Sequence, residues 1–408
     1  MDETAFSGKM LARDFAVGSR FAGDGERRSL RRDEIGRMKR LVLLGICLVV
    51  LCFASTLLAQ SESWVLGPWV RASDAPVIAP RPQSVFDDPV SGRPVHWEAL
   101  HTFNPAAVVR DGKIYVLYRA EDDSGEMKIG AHVSRLGLAV SEDGVHFERR
   151  PAPVFYPDKD AQADREQPGG VEDPRVVETE DGTYVLTYTQ WSRKRQAYSV
   201  GIATSRDLEH WTKHGPAFAG AFGGKYDKLL YKSAGIVTRR VGEQLVAAKI
   251  NGWYWMYWGE IKVGLATSRD LVHWTPVEDA SGKPVILLEA RAGKTDSGFP
   301  ETGPPAVVTD HGIVLLYNAK NATDDTRDKA LAPAAYSVQE ALFRADDPSK
   351  LLARTDEPVF KPERPFEQSG QYAAGTTFAE GLVLFKSKWW MYYGCADSFV
   401  GVATAPVK

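Results

Sequence analysis

Apolar stretches of four or five residues, rich in aromatic and β-branched side chains, recur along the chain at intervals of about 60 to 75 residues. The five copies occupy residues 114–118, 184–188, 254–257, 313–317 and 389–393. Most of them follow a turn signal such as Asp111-Gly112, Asp181-Gly182 or Asn251-Gly252. Short apolar runs bounded by turn residues predict β-strands.

A second predicted strand follows the first, at residues 138–141, 202–205, 265–268 and 402–404, with a divergent copy at 341–343 in the fourth unit. Strand-dense repeats of this period are typical of propellers and solenoids. Five small antiparallel sheets close naturally into a five-bladed β-propeller. We therefore predict a single all-β domain over residues 60–408, with an early strand around residues 77–86 completing the last sheet.

Histidine precedes an aromatic residue at the end of three units, at His146, His210 and His273. A metal site needs ligands that converge on one point. Because these pairs recur at equivalent places in different units, we interpret them as residues that stabilise the repeat. No metal-ligand cluster or nucleotide-binding loop is visible in the sequence, so it predicts no metal and no cofactor.

The first 59 residues differ from the rest. Residues 41–58 form an almost unbroken apolar run behind Met38-Lys39-Arg40. This pattern predicts a signal peptide over residues 38–59 or, if it is not cleaved, an N-terminal membrane anchor. Residues 1–37 are interpreted as a disordered or non-native extension ahead of a true start at Met38, with a targeting role as the alternative. The protein is therefore expected to be exported, either periplasmic or secreted.

Composition narrows the classes of function. Hydrophobic residues make up 44% of the 408 residues and charged residues 25%, which excludes a fully disordered protein. The net charge of −3 argues against nucleic-acid binding, which needs a clustered basic surface. Of the three cysteines, Cys395 alone lies outside the predicted signal, so the domain is expected to fold without a disulfide.

Carboxylates stand at the edges of the predicted inner strands. They occur in Glu172-Asp173-Pro174-Arg175, at Glu260 after an aromatic stretch, at Glu301 before the fourth unit's strand, and at Asp122 and Asp397 in the first and fifth units. A glutamate among aromatic residues is costly to bury unless it has a partner or a role. A general acid or sugar-binding site is one interpretation of Asp173 and its neighbours, and a turn with a surface ion pair is the other.

Four motifs, in this order, together resemble glycoside hydrolase family 130. They are Phe103-Asn104-Pro105, Ser134-Arg135-Leu136-Gly137, Gly170-Val171-Glu172-Asp173-Pro174-Arg175 and Tyr393-Gly394-Cys395-Ala396-Asp397. The resemblance covers nearly all of residues 75–408. It implies a five-bladed propeller enzyme related to mannoside phosphorylases and β-mannosidases, acting on a manno-oligosaccharide or another mannose-containing glycan.

The resemblance also implies roles for single residues. Asp173 would be the general acid, acting through a hydroxyl of the bound mannose. The residues expected to hold the sugar are Asn104, Arg119, Asp122, Arg175, Lys232, Asn318 and Asp397.

The choice between phosphate and water as the attacking group depends on charge. Where phosphorylases of the family present basic residues, this chain has Trp258-Gly259-Glu260 and Asn318, with Glu301 beside them. Two carboxylates repel a phosphate dianion at close range and can instead deprotonate water. The pattern resembles the family's exported β-1,2-mannosidases. It implies inverting hydrolysis, with Asp173 as the acid and Glu260, Glu301 or both activating water.

Two alternatives stay open at this point. A β-mannoside phosphorylase is the first, because Lys232, Lys249 and Arg175 offer positive charge for phosphate. A non-catalytic carbohydrate-binding propeller is the second, and loss of Asp173 or of both glutamates would favour it. Beyond the glycan, the only further contact expected is with a membrane, through an uncleaved N-terminal segment.

Overall fold

The computed structural model describes residues 64–408, so the predicted extension and signal lie outside the described residues. The regular secondary structure of this part of the chain is almost wholly β. Its helical elements are α1 (Ala163–Glu166) and two 3₁₀ turns, Ala221–Gly223 and Pro365–Glu367. Over residues 64–408, no helix is long and apolar enough to cross a membrane.

The strands, in chain order, are β1 (Val70–Arg71), β2 (Phe86–Asp88), β3 (Arg93–Val95), β4 (His101–Arg110), β5 (Lys113–Glu121), β6 (Ser134–Ser141), β7 (Glu148–Arg149), β8 (Gly169–Glu178), β9 (Tyr184–Ser192), β10 (Ala197–Ser205), β11 (Trp211–Pro216), β12 (Ala234–Ile236), β13 (Thr238–Val241), β14 (Gln244–Ala247), β15 (Lys249–Ile250), β16 (Trp253–Trp258), β17 (Val263–Ser268), β18 (Trp274–Pro276), β19 (Ile286–Leu288), β20 (Phe299–Thr302), β21 (Val307–Thr309), β22 (Gly312–Lys320), β23 (Tyr336–Phe343), β24 (Leu351–Arg354), β25 (Thr377–Phe385), β26 (Lys388–Cys395) and β27 (Phe399–Pro406).

Five antiparallel groups follow one another along the chain. They are β4–β7, β8–β11, β12 with β16–β18, β20–β24, and β25–β27 with β1. The hairpin of β13 and β14 pairs in parallel with β21 and β8, and so lies between the second and fourth groups. The five predicted aromatic strands lie inside β5, β9, β16, β22 and β26, and the second strands lie inside β6, β10, β17, β23 and β27. The pattern prediction is confirmed for all ten.

The predicted early strand at 77–86 is wrong in its bounds. The last group is completed by β1, which pairs with β27 through Val70 and Thr404. Ile78 adds one isolated bridge to Val400. Phe86 belongs instead to β2, which pairs with β3 in a separate hairpin.

Five apolar clusters hold the groups together, and each joins two of them. Leu138 and Leu186 pack between the first and second groups, and Ile202 and Trp274 between the second and third. Three further clusters join the third group to the fourth, the fourth to the fifth, and the fifth back to the first. Burial of these side chains supplies the main stabilisation, at about 25 cal/mol per Å² of apolar surface removed from water.

The three repeated histidines stabilise turns. In each case the imidazole Nδ1 lies 2.7 Å from a carboxylate three residues earlier, which pairs His146 with Asp143 and His210 with Asp207. His273 makes the same contact with Asp270. Their side chains are largely exposed and the three turns belong to different groups, so they share no common centre.

Candidate active site

A cavity of about 310 Å³ brings together seven of the ten predicted site residues. They are Asn104, Arg119, Asp173, Lys232, Glu260, Glu301 and Asp397. The other lining residues are Phe103, Ile129, Gly130, Glu172, Thr189, Trp191, Tyr198, Tyr336, Tyr372 and Phe378. A concave site that combines aromatic rings with a few convergent polar groups suits a small polar ligand such as a sugar.

Two β-bulges aim polar side chains into this cavity. The pairing of β4 with β5 skips Asn104, and the pairing of β8 with β9 skips Asp173 and Pro174. Both polar residues have a positive φ, 45° for Asn104 and 48° for Asp173. That conformation costs an L-residue roughly 1–2 kcal/mol. The two side chains support one another, because the Asn104 amide donates to Asp173 Oδ1 over 2.8 Å.

One side of the cavity is the Arg119 cluster, which consists of Arg119, Glu121, Glu172 and Asp173. Arg119 Nη2 lies 2.7 Å from Glu121 Oε1 and 2.8 Å from Glu172 Oε1, and Nη1 lies 3.0 Å from Asp173 Oδ1. The guanidinium also lies 4.5 Å from the centre of the Phe103 ring. The planar guanidinium of Arg119 therefore holds three carboxylates close together.

The other side is the Lys232 cluster, which consists of Lys232, Asp173, Glu260 and Glu301. Lys232 Nζ lies 3.3 Å from Glu301 Oε1, 3.4 Å from Glu260 Oε2 and 4.0 Å from Asp173 Oδ2. The Ser233 hydroxyl donates to Glu301 Oε1 over 2.5 Å, and the Tyr198 hydroxyl donates to Glu260 Oε1 over 2.8 Å. Burial lowers the pKa of Lys232, but the three carboxylates outweigh that effect and hold it well above the usual value.

The charges around Arg119 give the adjacent residues Asp173 and Glu172 different pKa values. Burial raises the pKa of Asp173, but Arg119, Lys232 and Arg175 outweigh it and hold the value at about 2. Burial raises the pKa of Glu172 to about 7 in spite of Arg119, because Asp173 and Glu121 add negative charge beside it. In the ligand-free site near neutral pH, Asp173 is therefore charged while Glu172 holds a proton part of the time.

Two further carboxyl groups of the cavity are poised to hold protons. Burial raises the pKa of Asp397 to about 7, against the opposing effect of Arg119. Burial also raises the pKa of Glu301, against Lys232, and the negative charge of Glu260 adds to the rise. Glu301 Oε2 is buried without a hydrogen-bond partner among the described residues. Clusters of perturbed acids in a cleft are typical of catalytic sites.

Aromatic rings form the walls of the cavity. Trp191 and Tyr198, which are neighbours on β9 and β10, have ring centroids 6.4 Å apart. Tyr336 and Tyr372 have centroids 5.6 Å apart, and Lys320 Nζ lies 5.2 Å and 5.8 Å from them. Flat apolar faces beside hydrogen-bonding groups match the two kinds of surface that a pyranose ring presents.

Three predicted sugar-binding residues, Asp122, Arg175 and Asn318, are not among the residues that line the cavity. Asp122 is buried against Arg135, at 2.7 Å between carboxylate and guanidinium. Arg175 donates to the backbone carbonyls of Thr302, Gly303 and Asp173 and lies 3.0 Å from Glu380. Asn318 exchanges hydrogen bonds with the backbone of Ala379. These side chains support the site from behind and do not face it.

The sequence prediction missed several cavity residues. Glu172 stands beside Asp173, and strict strand alternation would send the two side chains to opposite faces. The bulge overrides that alternation, so both reach Arg119. Tyr198, Tyr336 and Tyr372 carry no distinguishing motif, and the cross-strand pairing of Tyr198 with Trp191 is visible only in the structure.

One group of possible metal ligands occurs among residues 64–408, formed by His101, Glu121 and His132. Its ligand atoms lie within 4.8 Å of one another. The two histidines do not line the cavity, but Glu121 belongs to the Arg119 cluster.

Known proteins match this chain over most of its length. A 1,2-beta-oligomannan phosphorylase of Thermoanaerobacter sp. (strain X514) is 30% identical over 340 residues, covering 83% of this chain and 97% of that protein. The structure of a glycosyl hydrolase from Bacteroides ovatus superposes with a TM-score of 0.81 at 50% identity, covering 85% of this chain and 96% of that one.

A third relative is a solved structure described with the words "The GH130 family of mannoside phosphorylases contains glycoside hydrolases that target beta-1,2 mannosidic linkages in Candida mannan". It superposes with a TM-score of 0.82 at 51% identity and covers 84% of this chain and 95% of that one. The family model for glycoside hydrolase family 130, described as beta-1,4-mannooligosaccharide phosphorylase, matches residues 73–408. The chain belongs to glycoside hydrolase family 130.

Proposed function

We propose that this protein hydrolyses β-1,2-linked manno-oligosaccharides, with water as the attacking group. The observation that carries the proposal is the Lys232 cluster, in which three carboxylates already surround the ammonium group. A phosphate dianion at this end of the cavity would meet net negative charge. Two like unit charges 4 Å apart repel by about 4 kcal/mol at an effective dielectric constant of about 20. Water meets no such barrier.

The relative whose description names hydrolases of β-1,2 mannosidic linkages supports both the linkage and the reaction, since it shares 51% of its residues with this chain. The substrate class, a mannose-containing glycan, is common to this relative and to the curated phosphorylases.

Phosphorolysis is the second candidate. The family description and the three curated relatives are all phosphorylases, at 30%, 26% and 28% identity. Taken alone, these family-level findings favour phosphorolysis over hydrolysis. A phosphorylase would have to place phosphate beside Glu260 and Glu301, and this requirement is the reason that we rank it second.

In the proposed mechanism, Asp173 delivers the proton to the leaving group. Its pKa of about 2 in the free site means that it must first gain that proton. Glu172 shares Arg119 with Asp173 and has a pKa of about 7, so it is the nearest proton store. A bound sugar that separates Asp173 from one of its cations would raise the pKa of Asp173 and draw the proton across.

We assign the activation of water to Glu260. Its carboxylate is partly exposed, accepts a hydrogen bond from the Tyr198 hydroxyl and lies 3.4 Å from the Lys232 ammonium. Glu301 is fully buried with a raised pKa and would hold Lys232 and the water in place. Asp173 Oδ2 and Glu260 Oε2 each lie within 4.0 Å of Lys232 Nζ, so the distance between these two oxygens is at most twice 4.0 Å. This upper limit falls within the separation of roughly 6.5–9.5 Å that inverting pairs show.

The architecture and location follow as parts of the same proposal. The five strand groups, joined in a cycle by their five apolar clusters, support the predicted five-bladed β-propeller. Export rests on the apolar run of residues 41–58. Cell fractionation with N-terminal sequencing of the mature protein tests it, and an intact cytoplasmic chain would contradict it.

Incubation with β-1,2-mannobiose, with and without inorganic phosphate, tests the reaction. We expect free mannose at equal rates in both reactions. Mannose 1-phosphate formed only when phosphate is present would establish phosphorolysis instead. Absence of product on a panel of β-1,2 and β-1,4 mannosides would contradict both.

A further inference from the structure

We propose that His101, Glu121 and His132 bind one transition-metal ion of the Zn²⁺ class, beside the sugar cavity and separate from it. The three side chains place possible ligand atoms within 4.8 Å of one another. The proposal does not depend on the reaction assigned above, because it rests on a different set of side chains.

Sheet register brings the three residues together. His101 and Glu121 are direct cross-strand partners on β4 and β5, so their side chains leave the same face of the sheet. Glu121 is in turn the partner of Ser134 on β6, and His132 lies two residues before Ser134. His132 lies in the bend that leads into β6. Three segments that follow one another along the chain thus bring their side chains to one place.

Each imidazole makes a hydrogen bond through Nδ1, His132 with Ser124 and His101 with Ser398. His132 Nδ1 lies 2.6 Å from the backbone carbonyl of Ser124, and a carbonyl can only accept. The proton of His132 is therefore on Nδ1, and Nε2 keeps its lone pair. His101 Nδ1 lies 2.9 Å from Ser398 Oγ, and the two rings are 6.1 Å apart between centroids. Outer hydrogen bonds of this kind orient metal-binding histidines.

The donor set and its surroundings select the ion. Two imidazole nitrogens and one carboxylate oxygen form a set that Zn²⁺ uses with water in the fourth position, whereas Ca²⁺ and Mg²⁺ prefer oxygen throughout. His132 is 1% exposed and Glu121 is fully buried, so the donor set lies away from bulk water.

Glu121 couples this site to the cavity. Its Oε1 accepts from Arg119 Nη2 over 2.7 Å, and its Oε2 accepts from the Gln371 amide over 3.1 Å. A metal ion on Glu121 competes with Arg119, which holds Asp173 and Glu172. Sugar binding and metal binding should therefore alter one another's affinity by the same factor.

Direct Zn²⁺ binding to the full-length, tag-free protein tests the proposal, by competition with a chromogenic chelator after metal removal. We expect one tight site per chain. His101→Gln and His132→Gln should each weaken it by about 100-fold, since even outer-shell partners contribute 10–100-fold. His146→Gln, which changes an exposed histidine paired with Asp143, is the matched control and should bind as the wild type does.

Absence of tight binding by the wild-type protein would overturn the proposal, and so would equal binding by all four proteins. If either site variant fails to fold, the visible absorption spectrum of the wild-type protein with Co²⁺ tests the metal site instead. Intense bands of a four-coordinate complex are expected. The weak bands of hydrated Co²⁺ would contradict the site.

Discussion

The Arg119 cluster and the Lys232 cluster have the same composition but different access. Each has one cation and three carboxylates, and they share Asp173. The Arg119 side chain is 8% exposed and its carboxylates lie at 2.7–3.0 Å, whereas Lys232 is 25% exposed and its carboxylates lie at 3.3–4.0 Å. Close hydrogen bonds enclose the Arg119 guanidinium, whereas the Lys232 ammonium has open space around it.

This difference follows from the cations. A guanidinium is a rigid fork that fixes carboxylates in its plane, while an ammonium on a flexible stem is a point charge that tolerates several distances. In the proposed mechanism, the rigid cluster positions the acid. The looser cluster leaves room for a water molecule, and this is the side on which we place the attack.

The residue shared by both clusters gives the largest expected effect. Asp173→Asn removes the proton donor and should lower kcat on β-1,2-mannobiose by about 10²–10⁴, the range for loss of a general acid. The near-isosteric amide should leave the melting temperature within a few degrees of the wild-type value. A loss of activity below tenfold, with the fold intact by circular dichroism, would remove Asp173 from the chemistry.

Substitution of each glutamate of the Lys232 cluster distinguishes the residue that activates water from the residue that holds it in place. Glu260→Gln should lower kcat by about 10²–10³, and Glu301→Gln by a smaller factor of about ten, because the Glu260 side chain is partly exposed while that of Glu301 is fully buried. Initial rates of mannose release measure both variants under the same conditions. The reverse order would make Glu301 the base.

Removal of the Tyr198 hydroxyl, which donates to Glu260, should have a more moderate effect on activity. Tyr198→Phe deletes the donor to Glu260 Oε1, and a hydrogen bond to a charged group contributes about 1.5–3 kcal/mol. We expect kcat/KM to fall by about tenfold. Tyr372→Phe, whose hydroxyl donates to the Ala334 carbonyl, should lower kcat/KM much less. An equal loss in both variants would contradict the assignment.

A buried carboxylate outside the site extends the comparison to a group that has no cation beside it. Glu340 accepts from the Leu66 amide and has no ion-pair partner in residues 64–408, and burial raises its pKa to about 8. The unfolded chain releases this proton near pH 4.3, so folding loses stability as the pH rises from about 4 to about 8.

Glu340→Gln cannot ionise. It should therefore raise the melting temperature by a few degrees at pH 8, relative to the wild type, and by less at pH 5. Scanning calorimetry at the two pH values measures this difference, with the exposed Glu357→Gln as the control. An equal change at both pH values would show that Glu340 is ionised throughout.

The strands were predictable because their signal is local. Each aromatic run sits between turn residues, and its two faces pack into different apolar clusters, as with Val116 and Tyr118 on one face of β5 and Leu117 on the other. The early strand was misplaced because β1 has two residues and no apolar pattern of its own. Its position is set by pairing with β27, at the far end of the chain.

The site was predictable only in part because bulges decide which face a side chain takes. The motif containing Asp173 placed the correct residue in the cavity, but it could not show that Arg175 turns back to the carbonyls of Thr302 and Gly303. The same limit hid Glu172. Contacts between remote segments, such as those joining His101 to His132, leave no trace in a linear motif.

Positive φ angles are shared by four residues around the cavity, two at bulges and two beside strand ends, at 45° for Asn104, 48° for Asp173, 58° for Ser233 and 50° for Asp397. Glycine adopts this conformation without strain. The polar side chains at these four places therefore carry a backbone cost that glycine would avoid. A library screened only for thermal resistance should accept glycine there and lose its activity at these positions first.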